Sequence, residues 1–220
     1  MLLLIDKPQG ITSHDVVDRV RRITGEKRVG HAGTLDPMAT GLLIVGVGRQ
    51  STKLLGELTT GTTKEYIATL KLGSETDTLD AEGKVVKSCD VPALTESQVE
   101  EVLNSFLGEG MQVPPAYSAI KLSGKKAYEL ARDGQKVEIK ERKITIHSIK
   151  LLQMKKDEIE FKVGVSAGTY IRSLGRDISA KLGTCGHLSA LRRTKIGDYS
   201  IDDAKTLEEL KESNINLSNE

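Results

Sequence analysis

The stretch that decides the fold of this chain is Gly30-His31-Ala32-Gly33-Thr34-Leu35-Asp36-Pro37-Met38-Ala39-Thr40-Gly41. It places glycines, a histidine and one carboxylate between a helical pattern and a strand pattern. Glycine lets the backbone adopt positive φ and lets other groups come close. Pro37 biases Asp36 toward an extended conformation, so its carboxylate is predicted to project from a loop. The loop either presents a nucleophile or forms a plain Asx turn, and these residues alone leave both interpretations open.

Length, composition and charge predict one large domain over residues 1–198 and a short acidic tail over residues 199–220. Cys89 and Cys185 lie far apart in sequence and have neither metal-site nor redox spacing. We therefore expect two free thiols in a reducing cytosol, and hence a cytoplasmic protein. The apolar run Met1–Ile5 is too short for a signal segment or a membrane span and is predicted to be a first strand.

The net charge of +1 hides an uneven distribution. The tail carries two lysines and six acidic residues, so the rest of the chain is basic. Basic residues cluster before the opening stretch, near Lys121 and again near Arg192. Such clusters suit a polyanion held on one face, although a solvated helix surface is the favoured explanation of any single cluster.

The hydropathy pattern predicts an α+β fold with a mixed, largely antiparallel central sheet and surrounding helices. Residues 42–47 form a continuous apolar run, which is typical of a buried central strand. Residues 64–72 and 159–165 alternate as strands do, and Asp157 lies in a predicted hairpin connection. Helices are predicted from an N-cap at Ser13 to a stop at Gly25, over 50–58, from a cap at Thr95 to a stop at Gly108, over 125–133 with Gly134 as the stop, over 170–182 and over 203–212.

Three competing kinds of site find little support in the sequence. Gly46-Val47-Gly48 follows an apolar strand but lacks the third glycine and the later acid of a dinucleotide-binding turn, so no nucleotide cofactor is expected. The four histidines show no paired ligand spacing, so no metal is expected. A serine hydrolase would need a nucleophile elbow, which is missing. Tyr66 and Tyr170 stand in suggestive places, but core packing is the favoured interpretation of both, since the ring is mostly apolar.

Several motifs together give the chain a strong resemblance to the bacterial tRNA pseudouridine synthases of the TruB family over residues 1 to about 200. They are the opening stretch continued by Leu42-Leu43, Lys7-Pro8-Gln9-Gly10-Ile11-Thr12-Ser13, Lys64-Glu65-Tyr66, Gly73-Ser74-Glu75-Thr76-Asp77-Thr78-Leu79-Asp80, Pro114-Pro115-Ala116-Tyr117-Ser118-Ala119-Ile120-Lys121, Gly168-Thr169-Tyr170-Ile171-Arg172-Ser173-Leu174 and His187-Leu188-Ser189-Ala190-Leu191-Arg192-Arg193.

The resemblance implies an isomerase that converts one uridine of the tRNA T loop, conventionally position 55, to pseudouridine on a flipped-out base without a cofactor. Asp36 would be the catalytic aspartate, and Arg172 would pair with it and keep it ionised. The remaining substrate contacts would come from His31, Tyr66, Tyr170 and Leu191. Contacts to RNA phosphates are expected from Lys7, Arg19, Arg22, Lys64, Lys121 and Arg192.

Two departures from the family pattern stand out. Many relatives carry a lysine where this chain has Ala167, and many continue into a separate C-terminal RNA-binding domain. We expect no full domain of that kind here, a monomeric enzyme, and tRNA held mainly by the core. The alternatives are a T-arm binding protein that assists RNA folding without chemistry and, less favoured, an RNA-guided relative that works in a protein particle.

Overall fold

The computed structural model describes residues 1–118, 120–122, 124–132 and 137–217. Its α-helices are α1 (Ser13–Thr24), α2 (Arg49–Thr60), α3 (Glu96–Asn104), α4 (Ala127–Arg132), α5 (Ile171–Lys181) and α6 (Leu207–Leu217), with a 3₁₀ turn at Ile201–Asp203. Its strands are β1 (Leu2–Lys7), β2 (Val29–Ala32), β3 (Thr40–Val47), β4 (Lys64–Leu72), β5 (Ser74–Thr76), β6 (Val85–Ser88), β7 (Gly108–Gln112), β8 (Lys121–Leu122), β9 (Lys125–Lys126), β10 (Arg142–Met154), β11 (Glu158–Val165), β12 (Gly186–Ile196) and β13 (Tyr199–Ser200).

The chain divides into two compact units. The first comprises Met1–Ile67 and Leu191–Glu220, and the second comprises Ala68–Ala190. In the first unit β3 lies between β1 and β12, and β2 also pairs with β3. In the second unit the strand order is β4, β11, β10, β7.

Strand β3 is the core of the first unit because both of its faces are buried. Leu43 and Val45 pack into a cluster with α1, which contributes Val16 and Val20. Leu42 and Ile44 pack on the opposite face, in a cluster that includes Leu55 of α2. The alternation of side chains along a strand sends these neighbours to opposite sides, so the apolar run 42–47 is the central strand that the sequence predicted.

Part of the acidic tail folds onto this unit. Helix α6 buries Leu207 and Leu210 in the same cluster as α1, and Lys205 extends the edge of β1 through backbone hydrogen bonds with Leu4 and Asp6. The domain boundary at residue 198 remains a prediction. The described residues that follow it form β13, the 3₁₀ turn and α6.

The second unit is built on antiparallel strands, which helix α5 follows in the chain. β10 pairs with β11 and with β7, both antiparallel. The buried face of β11 consists of Ile159, Phe161, Val163 and Val165. Helix α5 buries a stripe that begins at Ile171, as the 3.6-residue period predicted.

The predicted α+β class with a mixed, largely antiparallel sheet is confirmed. β12 pairs in parallel with β3, whereas β1 and β2 pair with β3 antiparallel. Two local predictions were wrong. Gly108 begins strand β7 instead of ending α3, and the N-cap of α1 is Thr12 instead of Ser13. The predicted stop at Gly134 lies outside the described residues.

The expectation of two free thiols was also wrong. Cys89 and Cys185 are joined in a disulfide across a Cα–Cα distance of 5.8 Å, although 96 positions separate them in sequence. Backbone pairing at Gly73, which donates to the Cys185 carbonyl and accepts from the Cys89 amide, brings them together. Across the part of the chain that the structure describes, every helix is too short or too polar to cross a membrane.

Candidate active site

Asp36 lies in the loop between β2 and β3, within the first unit, and is half-buried. Its backbone carbonyl accepts a hydrogen bond from the Ala39 amide at 3.1 Å, which closes a turn. Leu35, the preceding residue, is fixed by Ser13: its amide donates to the Ser13 hydroxyl at 2.8 Å, and that hydroxyl donates to the Leu35 carbonyl at 3.1 Å. Residues 36–39 therefore form a backbone turn, and Ser13 fixes the residue that precedes it, whereas an Asx turn made by the Asp36 side chain remains a prediction.

Two fully buried cations hold this loop from inside. The Nε of Arg193 donates to the Leu42 carbonyl at 2.8 Å, and Nη2 donates to the Gly33 carbonyl at 3.0 Å. The ammonium of Lys7 donates to the Ile11 carbonyl at 2.7 Å and to the Pro37 carbonyl at 3.3 Å. Arg193 thus bridges the two ends of the loop, and Lys7 supports it beside Asp36.

Two glycines of this stretch are required by the packing of the protein itself. Gly41 has φ of +99°, and a Cβ there would lie 2.8 Å from the Arg193 amide nitrogen. Gly33 has φ of +73° and faces the Arg193 guanidinium. Their common purpose is the close passage of β12, because Arg193 pairs with Gly41 in the parallel register.

His31 stands on β2 beside this loop, opposite Val45 in the ladder. Burial, followed by the positive charge of Arg193, holds the pKa of His31 below its usual value. Its Nδ1 is buried and has no hydrogen-bond partner within the described residues. A neutral ring with one unsatisfied nitrogen can bind a polar group of a substrate.

Two other predicted substrate contacts belong to the first unit. Tyr66 on β4 and Leu191 on β12 are 8% and 6% exposed, so both present little surface. Their packing fits the structural interpretation, and substrate contact by either remains a prediction.

The predicted phosphate contacts divide into buried and accessible groups. Lys7 and Lys64 are buried, and the Lys64 ammonium donates to the Thr59 and Thr62 carbonyls at 2.6 and 2.9 Å. The hydrogen bonds of Lys7 and Lys64 to backbone carbonyls support a structural role for both side chains. Arg192 is partly exposed and donates from both terminal nitrogens to Asp6.

The remaining cations of that set stand on two elements. On α1, Arg19 is half-buried and Arg22 is exposed. Lys121 lies on the short strand β8, and its side chain falls outside the described residues. Phosphate contact by any of these side chains stays a prediction.

Arg172 is anchored inside the second unit. It is 4% exposed, its Nη1 donates to the Thr78 carbonyl at 2.7 Å, and its Nη2 donates to the Tyr117 carbonyl at 2.9 Å. The carboxylate of Asp80 lies 3.5 Å from Nη1 and accepts further hydrogen bonds from the Thr78 hydroxyl and the Glu82 amide. This buried set fixes the guanidinium in orientation. The predicted pairing of Arg172 with Asp36 remains a prediction.

Tyr170 occupies the N-cap of α5 in the same unit. The amide side chain of Gln112 binds its backbone on both sides, and the guanidinium of Arg142 lies 4.8 Å from the centroid of its ring. Tyr170 is therefore held at its backbone and at its ring.

Sequence reasoning missed three of these supporting residues. Arg193 was counted among the basic residues for a polyanion, yet the two-residue period of β12 already places it on the buried face with Leu191, opposite Arg192. The contact of Asp80 with Arg172 and that of Gln112 with Tyr170 carried no local signal, because the paired residues are distant in sequence. The described residues include no cluster of histidine, cysteine and acidic side chains suited to a metal ion.

Comparison with known families gives two matches that together span residues 21–220. Residues 21–171 match the N-terminal domain of the TruB family of pseudouridylate synthases, and residues 172–220 match the C-terminal domain of tRNA pseudouridylate synthase B. The chain is 49% identical over 214 residues to tRNA pseudouridine synthase B of Mycobacteroides abscessus, covering 95% of this chain and 71% of that protein. It is 47% identical over 219 residues to the protein of the same name from Corynebacterium diphtheriae, covering 96% and 72%.

Solved structures resemble the chain as well. A chain in the crystal structure of a Cbf5-Nop10-Gar1 complex superimposes with a TM-score of 0.76 at 32% identity, covering 96% of this chain and 53% of that one. A chain of an H/ACA RNP bound to a substrate RNA containing 2′-deoxyuridine gives a TM-score of 0.71 at 30% identity, covering 96% and 52%.

Proposed function

Because the chain belongs to the TruB family of pseudouridylate synthases, and is thus an enzyme that isomerises uridine to pseudouridine in tRNA, we propose that Asp36 is its nucleophile and a T-loop uridine its target. The observation that carries this proposal is the loop at residues 33–39, whose only carboxylate is that of Asp36. The alternative of a binding protein that needs no chemistry is set aside, since the family is enzymatic.

The chemistry needs a nucleophile that attacks either C6 of the uracil or C1′ of the ribose. The N1–C1′ bond breaks, the uracil turns within the site, and C5 forms the new bond to C1′. The proton lost from C5 is balanced by the one gained at N1, so the product is an isomer of the substrate. A carboxylate on a fixed loop suits this reaction, because a nucleophile works best when its approach is set before the substrate arrives.

The supports of the loop favour this role over that of a plain turn. A turn on the surface needs no internal bracing, yet this loop is braced by Arg193, Lys7 and Ser13. Burying cations is costly unless they are well bonded, so two of them under one short loop indicate that its exact shape matters. Asp36 in this braced loop is half-buried, so fewer water molecules can reach it.

Arg172 and Tyr170 take part in the proposal through the family resemblance. Arg172 would keep the Asp36 carboxylate ionised, and Tyr170 would line the base pocket together with Tyr66 and Leu191. The rigid anchoring of Arg172 to two carbonyls and Asp80 suits a residue whose charge must stand in one place.

The substrate base must leave the RNA stack, which costs a few kcal/mol, and stacking on Tyr66 would return about 1–3 kcal/mol. Exposed cations such as Arg22 would contact phosphates, a contribution that weakens with salt. The proposal takes a monomer as the acting unit and the cytoplasm as its location. Because Cys89 and Cys185 form a disulfide, they do not support a cytoplasmic location, which we infer from the tRNA substrate alone.

A minimal RNA tests the target. A T-arm hairpin carrying tritium at C5 of uridine 55 should release tritium with the full-length chain, since isomerisation removes the C5 proton. The same hairpin labelled only at its stem uridines is the control and should release none. Release from the stem label, or none from the loop label while whole tRNA reacts, would contradict the proposed T-loop target.

A further inference from the structure

The start of α5 is held by a side chain from a distant strand. Gln112, the last residue of β7, is 2% exposed. Its Oε1 accepts a hydrogen bond from the Tyr170 amide at 2.9 Å, and its Nε2 donates to the Tyr170 carbonyl at 3.1 Å. The side-chain amide of Gln112 thus binds both the backbone nitrogen and the carbonyl oxygen of Tyr170.

This contact gives a partner to the backbone N–H of the N-cap residue, as the back-reaching side chain of a capping box does. The first N–H groups of a helix lack partners within it, and the side chain of the N-cap residue usually supplies one. Tyr170 is the N-cap of α5 and makes no such side-chain bond. Gln112 binds its backbone from 58 positions away, and Ser173 in the first turn donates from its hydroxyl to the Val113 carbonyl at 2.8 Å. Residues 112 and 113 therefore both tie down the first turn.

The residue that pairs with Gln112 across β7 and β10 contacts the ring of Tyr170. Arg142 faces Gln112 across the antiparallel ladder, and its guanidinium lies over the Tyr170 ring. A ring held on one face, with its backbone held on both polar atoms, has little freedom to turn. Arg172 follows two residues later and shares this first helical turn.

We propose that Gln112 is a positioning residue of the pseudouridine reaction, which aims Tyr170 and Arg172 by fixing the backbone where α5 begins. The inference rests on the proposed roles of those two residues. Only an uncharged amide offers a donor and an acceptor side by side, so glutamine satisfies both backbone groups without burying a charge. A buried Gln112 that only filled space would need neither bond.

The test replaces Gln112 with methionine, which has similar length but neither bonds the Tyr170 backbone nor carries charge. The matched control is Gln98→Met, which removes a glutamine at the start of α3 that accepts from the Thr95 amide. On a tRNA transcript at saturating enzyme, Gln112→Met should lower the single-turnover rate about 30- to 100-fold, since small misplacements at a site have effects of that size. Its Kd for tRNA should stay within about threefold, and Gln98→Met should match the parent rate within about twofold.

A second measurement separates positioning from general loosening. The chain has five tyrosines, so incorporation of 3-fluorotyrosine gives five ¹⁹F resonances, which tyrosine-to-phenylalanine variants assign. In Gln112→Met the Tyr170 resonance should shift or broaden while those of Tyr66 and Tyr199 stay in place. Should Gln112→Met not fold, Gln112→Asn keeps an uncharged amide that is one methylene shorter, so it should weaken both bonds to Tyr170 and show a smaller loss of rate with the same ¹⁹F change.

A folded Gln112 variant with the parent rate, or one whose rate falls while the Tyr170 resonance is unmoved, overturns the inference. That outcome is distinct from failure of the proposed function. If Asp36→Asn stays active, the proposed function falls whatever Gln112 does. If Asp36→Asn is inactive and the Gln112 variants match the parent, this inference alone falls.

Discussion

The amide nitrogen of Arg193 would lie 2.8 Å from a Cβ placed on Gly41, so the two strands touch backbone to backbone where the Asp36 loop ends. Parallel pairing of β12 with β3 puts Arg193 directly beside Gly41, and from there its side chain reaches the Gly33 carbonyl at the other end of the loop. One residue thus sets the strand spacing through its backbone and the loop shape through its guanidinium.

Gly41→Ala should destabilise the protein strongly, because it combines a left-handed backbone with a clash against Arg193. We expect a loss of about 3 kcal/mol in the free energy of unfolding, measured by urea denaturation. Gly25→Ala is the control, because Gly25 also has positive φ but nothing lies within 4 Å of its Cβ position. It should lose only about 1 kcal/mol. Equal losses in the two variants would show that the contact with Arg193 is not tight.

Arg193→Lys should slow the reaction more than it weakens binding. Lysine keeps the charge but lacks the fork that reaches Gly33 and Leu42 together. We expect the single-turnover rate to fall about 100-fold, with Kd for tRNA changed by less than about threefold. Its neighbour Arg192 is partly exposed, so Arg192→Lys should leave the rate at saturating RNA near that of the parent. A rate loss shared equally by both variants would count against a specific bracing role for Arg193.

Asp80→Asn should lower both stability and rate, because it removes the carboxylate beside the buried Arg172 guanidinium. Leaving a buried charge without its partner costs about 2 kcal/mol or more in the free energy of unfolding. We expect the single-turnover rate to fall about tenfold or more, since Arg172 would no longer be held in one orientation. Asp77→Asn in the same loop serves as the control, because the Asp77 carboxylate accepts from the Lys84 amide, a bond that asparagine can keep. Parent-like rates in Asp80→Asn would contradict the anchoring role.

Lys64 should make stability depend on pH in the alkaline range. Burial, and next the charge of Arg193, lower the pKa of Lys64 from 10.5 to about 8. Between these two values the unfolded chain binds more protons than the folded one, so the free energy of unfolding rises with pH across that window. The difference in this free energy between the parent and Lys64→Met should therefore grow in favour of the parent from pH 8 to pH 10. A difference that stays constant or shrinks would contradict the lowered pKa.

Sequence patterns predicted the elements well where one face of a helix or strand is consistently apolar. The run at 42–47 and the alternation over 64–72 gave strands β3 and β4, because burial acts on every residue of such segments. The small strand β7 was missed, since its residues from Gly108 to Met111 are exposed and show no period. The disulfide was missed because backbone pairing, which no local signal reports, brings its cysteines together.

The loop that carries Asp36 was predictable from the sequence but the residues that support it were not, and the chemical role of Asp36 remains a prediction. The loop with Asp36 was found from glycine, proline and one carboxylate close in sequence. Arg193, Asp80 and Gln112 act on carbonyls or side chains that the fold brings to them, so the residue types alone could not assign their partners. Lys7 and Lys64 were predicted to contact RNA phosphates, yet both are buried and donate to backbone carbonyls.

The most direct test of the central claim is tritium release by Asp36→Asn from tRNA transcript labelled at uridine C5. Asparagine keeps the size of the side chain and its place in the turn but removes the nucleophile. We predict no release above background in a single-turnover experiment, with Kd for the tRNA within about threefold of the parent because the braced loop is unchanged. Release that persists in the folded variant would show that another group attacks the uridine and would contradict the account.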